Sequence, residues 1–75
     1  MNSEKHIKVT GHSNISWKDA IIKTIDEACK TLANINSVTV LGQSAKIVDN
    51  KIVEYIADLE IVFEIEPLKT ENDNL

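Results

Sequence analysis

The stretch "IVEYIADLEIVFEIE", residues 52–66, limits the fold more than any other part of the chain. Every odd position in it is apolar: Val53, Tyr55, Ala57, Leu59, Ile61, Phe63 and Ile65. The even positions carry Glu54, Asp58, Glu60, Glu64 and Glu66, interrupted only by Ile52, Ile56 and Val62. Alternation with period two over this length predicts a strand with one buried face. Fully extended, it spans about 50 Å at the usual rise of a strand. A chain of 75 residues is one domain, and a single core of that size is marginal without disulfides, a metal or oligomerisation. Cys29 is the only cysteine, so an internal disulfide is excluded. The apolar face of this strand therefore calls for cover from neighbouring subunits.

The remaining chain divides into three further elements. Residues 6–10 predict a short strand, with Ile7 and Val9 on one side and His6, Lys8 and Thr10 on the other, followed by a loop over 11–15. Ser16 with Asp19 three residues on fits a capping box, and Asp19 favours the positive end of a helix dipole. From Trp17 to about Asn34, Trp17, Ile21, Ile25, Ala28 and Leu32 recur at helical spacing, widened by Ile22, Cys29 and Ala33; the predicted helix is about 27 Å long. A strand over 37–48 follows, in which Val38 and Val40 share a side. Its parity shifts near Gly42 towards Leu41, Ala45 and Ile47, as at a bulge. Asp49 and Asn50 tolerate positive φ and predict a tight hairpin turn. The expected architecture is α+β, in the order β-α-β-β, with a three-stranded antiparallel sheet wrapped around one helix. Residues 1–67 form the domain, and 68–75 read as a polar, disordered tail.

Charge and motif content exclude several functions. The net charge is −4 and all eight basic residues are lysines, which argues against a nucleic-acid backbone as partner. No apolar run approaches the length of a membrane span and the first residues are polar, so a cytoplasmic protein is expected. Cys29 flanks the helix stripe and reads as a buried structural thiol. His6 and His12 lack metal-ligand spacing and read as exposed polar groups. No Ser-His-Asp order, paired catalytic carboxylates or glycine-rich phosphate loop is visible, so no catalysis is expected. The acidic residues Glu54, Asp58, Glu60 and Glu64 share one strand face and are weak candidates for hard-cation ligands.

The pieces "VTGHS", "SWKDAIIKTIDEACKTLANI", "NSVTVLGQ" and "EYIADLEIVFEIE", in this order and spacing, resemble the dodecins. That resemblance implies a β-α-β-β chain assembling into a hollow homododecamer that binds or stores a small ligand, typically a flavin such as riboflavin or FMN. It also identifies the flavin-pocket positions. Flavin-binding dodecins stack a tryptophan from the start of the second strand on the flavin; here that position is Ser37. They follow the tyrosine of the third strand with a glutamine; here Ile56 follows Tyr55. Gln43 and Tyr55 are the remaining polar or aromatic neighbours, and Trp17 reads as a packing residue at the helix start. "SWKDA" and the proline after the last strand are similar to a flavin-free branch associated with calcium. The resemblance thus implies a ligand-binding shell with weakened flavin binding, or alternatively a structural or cation-binding assembly.

Overall fold

A computed structural model describes residues 3–65 of the chain; the expected tail at 68–75 and the residues Glu66 and Pro67 lie outside them. The elements are β1 (Ser3–Ser13), α1 (Trp17–Ala28), β2 (Ile35–Val48) and β3 (Lys51–Ile65). Both strand pairings are antiparallel, and the sheet order β1-β3-β2 makes β3 the central strand. The fold expected from the sequence is the fold observed.

The alternation sorts the middle of β3 as expected, while Val53 and Ile65 near its ends are exposed and Val62 on the other face is buried. Ala57, Leu59 and Ile61 are fully buried, and Phe63 nearly so. They face α1 through Ala20, with Val9, Ile21 and Val38 packed around the same cluster. Cross-strand partners share a face, so Ile7, Val9 and Gly11 of β1 join this side opposite Ile61, Leu59 and Ala57. Gly11 is required by closeness: α1 passes directly over it, with the Thr24 hydroxyl and the Ala20 carbonyl where a β-carbon would sit.

The bulge expected near Gly42 is present. Val40 pairs Leu59 and Gly42 pairs Asp58, which leaves Leu41 as an extra, exposed residue rather than a member of the buried side. Two more register shifts flank Asn36 and Val53. The turn is also as expected: Asp49 and Asn50 have φ of 52° and 64° between the paired Val48 and Lys51. Two left-handed residues in a two-residue loop match the twist of a hairpin. Asn50→Ala should therefore cost about 1 kcal/mol, because alanine tolerates this region poorly, while Asn50→Gly should not; thermal unfolding of the two variants checks this.

Three expectations need correction. β1 runs over Ser3–Ser13 rather than 6–10, because its whole length pairs with β3, from Ser3 opposite Ile65 to Ser13 opposite Tyr55. The helix closes at Ala28 rather than near Asn34. Lys30 and Thr31 donate to the carbonyls of Glu27 and Ala28 in a tightened last turn, and Asn34 then adopts φ 58°. Its 12 residues span about 18 Å. Cys29 consequently caps the helix end and is exposed, not buried.

A helix this short leaves most of the β2–β3 hairpin uncovered. The radius of gyration is 16.8 Å and the molecule extends 65 × 18 × 13 Å, whereas a compact chain of this length has a radius of about 11 Å. Ile47, Val48, Ile52 and Val53, at the hairpin tip, are all exposed, Ile47 by 55%.

Candidate functional site

The first organised cluster sits where β1 meets α1. Ser16 takes the N-cap position in an extended conformation, and its hydroxyl accepts the Asp19 N–H at 2.9 Å. The other half of the expected capping box is replaced. Asp19 accepts a 2.6 Å hydrogen bond from the Ser13 hydroxyl, which in turn accepts the N–H groups of Ile15 and Ser16. Ser13 is only 3% exposed. Serine preceding a cap by three residues carries no strong sequence signal, so its role emerges only from the fold.

Trp17 then ties the helix start to the hairpin. Its indole N–H donates to the Ser44 carbonyl at 2.8 Å, and its ring meets Tyr55 edge-on, with centroids 4.8 Å apart and planes at 78°. Edge-to-face geometry aligns the positive ring edge with the negative ring face, a contribution of about 1 kcal/mol beyond burial. Trp17 is the packing residue expected from its position. Tyr55 is half-buried in this contact.

The candidate pocket positions lie apart within one chain. Ile56 is half-buried on the face away from α1, between His12 of β1 and Ser44 of β2. Gln43 pairs with Ala57 and so shares the opposite, helix-facing side. Ser37 is exposed and pairs with Val62, six positions along β3 from Ile56, a separation of about 20 Å. Within one chain the two positions therefore do not line a common pocket.

The acidic residues share the outer face, and each has a neighbour. Glu54 lies 3.2 Å from His12, and Asp58 accepts from the Thr10 hydroxyl at 2.9 Å. Glu60 lies 3.4 Å from His6, whose other ring nitrogen is 3.4 Å from Glu4, and Glu64 accepts from the Asn36 amide at 3.3 Å. These pairs are partly exposed to solvent, so each contributes under about 1 kcal/mol. Among the described residues, no three His, Cys, Asp or Glu side chains gather around a metal-sized centre. Among them also, no helix is long and apolar enough to cross a membrane.

Comparison with known proteins agrees with this fold. The family model described as Dodecin matches residues 4–66. No curated protein matches the chain by sequence. Among solved structures, a variant of the Thermus thermophilus dodecin is 25% identical, with a TM-score of 0.83 over 89% of this chain and 100% of that one. The Streptomyces coelicolor dodecin is 19% identical, with a TM-score of 0.84 over 89% and 96% of the two chains. A Mycobacterium tuberculosis protein described as a calcium-chelating antigen, calcium dodecin, is 23% identical, with a TM-score of 0.77 over 92% and 99%.

Proposed function

Because the chain belongs to the dodecin family, we propose that it works as a homo-oligomeric shell that holds a small ligand without transforming it. The single observation that carries this reading is the unfinished monomer: a 65 Å long molecule whose hairpin tip exposes four branched aliphatic residues. A chain of this size has only a marginal core of its own. Burial of those residues between copies supplies the missing stabilisation, and twelve copies is the count that family membership favours. The separation of Ser37 from Ile56 is consistent with a ligand held between subunits.

Flavin binding in this shell is weak. Ser37 has no ring to stack on an isoalloxazine, and Ile56 has no amide for its polar edge. Those two losses together remove about 2–4 kcal/mol, from stacking and one hydrogen bond. The alternative reading, a cation-binding shell, is supported by the calcium-chelating relative and by the row Glu54, Asp58, Glu60 and Glu64 on one face. Within one chain that row is engaged by His6, His12, Thr10 and Asn36, so an ion would have to gather carboxylates from several copies.

Native mass spectrometry of gently purified protein tests both parts. A twelve-subunit species that takes up riboflavin only at high micromolar concentration is the expected result. Retention of calcium with no uptake of riboflavin would favour the alternative, and a monomer would overturn the reading altogether.

A further inference from the structure

Where β1 gives way to α1, the surface holds an open hollow of about 490 Å³, lined neither by Ser37 nor by Ile56. Side chains from all four elements line it: His12 at the end of β1, Lys23 of α1, Lys46 of β2 and Glu54 of β3, with Asn14 from the connecting loop. The loop is fixed from beneath, because the buried Ser13 hydroxyl donates to Asp19 and accepts the N–H groups of Ile15 and Ser16. The chain carries a net charge of −4, yet this hollow gathers two of its lysines. Lys46 makes no ion pair among the described residues, and Lys23 makes only a long contact of 3.9 Å with Asp19. The one carboxylate in the wall, Glu54, is already engaged by His12, whose Nδ1 lies 3.2 Å from it. With Nδ1 donating to Glu54, a neutral imidazole keeps Nε2 as an acceptor.

We propose that this hollow is a binding site for a small, hydroxylated phosphate monoester. Lys23 and Lys46 approach from the helix and from the sheet, and their ammonium groups, on long flexible stems, close on the phosphate from two sides. A hydroxyl of the same ligand donates to His12 Nε2, and the Asn14 amide gives or takes a further hydrogen bond. The lining decides between ligand classes. An aromatic or aliphatic compound finds only Val53 as an apolar wall. A metal cation meets two ammonium groups and a carboxylate that His12 already holds. Inorganic phosphate satisfies the lysines but sets its oxygens against the lone pair of Nε2, whereas a sugar phosphate offers that lone pair a donor. The volume lies in the usual range for small-molecule sites. This site goes beyond the shell reading above, and it depends neither on flavin binding nor on the number of subunits.

Isothermal titration calorimetry of the full chain tests this, with ribose 5-phosphate, ribose and inorganic phosphate titrated separately at pH 8 and low salt. Ribose 5-phosphate should bind saturably, ribose should give no saturable heat, and inorganic phosphate should bind about tenfold more weakly than the ester, the size of one hydrogen bond to a fixed acceptor. Lys23→Met and Lys46→Met should each weaken the ester about tenfold, the size of one charge-assisted hydrogen bond. Methionine keeps the aliphatic stem, so a loss with unchanged thermal unfolding reports the charge. His12→Leu should bring the ester down to the affinity of inorganic phosphate. Lys18→Met, on α1 but outside the hollow, should change nothing. Equal affinity for the ester and inorganic phosphate would overturn the assignment in favour of an adventitious ion only. An equal loss in Lys18→Met would show diffuse attraction to surface charge in place of a site, and the absence of saturable binding by ribose 5-phosphate would overturn the inference outright.

Discussion

Ser37→Trp combined with Ile56→Gln should raise riboflavin affinity by about 30- to 1,000-fold over the parent chain. The stacking ring contributes about 1–3 kcal/mol and the amide about 1 kcal/mol, so most of the gain belongs to the tryptophan. Neither change threatens the fold. Ser37 is exposed on the edge strand β2, where an aromatic ring suits a strand as well as serine does. Ile56 is half-buried on the outer face between His12 and Ser44, positions that leave an amide in contact with polar neighbours. Quenching of riboflavin fluorescence on titration measures the effect directly. An assembled double variant with unchanged affinity would mean that the surroundings of the two positions have diverged from a flavin pocket as well.

Gly11→Ala should destabilise the protein by about 3 kcal/mol, the upper range for forcing an extra carbon into a packed site. The glycine lies opposite Ala57 on β3 and directly beneath α1, so three small residues, Gly11, Ala57 and Ala20, let the helix approach the sheet. An added β-carbon would meet the Thr24 hydroxyl and would stand 2.8 Å from the Ala20 carbonyl. The hydroxyl belongs to a side chain and is removable, but the carbonyl belongs to the helix backbone. Adding Thr24→Ala should therefore recover only part of the loss. Denaturant unfolding of the single and double variants at equal protein concentration reads both numbers. Full recovery by Thr24→Ala would show that the side chain alone sets the spacing.

The parts of the fold that could be read from the sequence are those fixed by local pattern. The alternation along β3, the left-handed pair Asp49-Asn50 and the kink near Gly42 each carry their own geometry. β1 is different. Ser3, Glu4 and Lys5 have no strand preference of their own, and they extend the strand because Ile65, Glu64 and Phe63 stand opposite them. Distant partners decided that boundary. At the helix end the apolar stripe continues through Leu32 and Ala33, but the backbone tightens at Lys30 and Thr31, so Cys29 turns outward. The Ser13–Asp19 bond was invisible for a similar reason, since it joins the end of a strand to the start of a helix. Ser37 and Ile56 were identified by family resemblance, and their distance from each other is a property of register that no single-position reading contains.

The bulges have a consequence for how growth of an assembly ends. Every register irregularity in the sheet falls in the pairing of β2 with β3, while β1 pairs with β3 without interruption. A flat, regular edge is a template on which further strands add without limit. Here β2 presents an edge broken at Asn36 and Leu41, and a partner strand laid along it loses step within a few residues. Indefinite addition of strands along the β2 edge is thereby blocked, and only β1 keeps an edge in regular register.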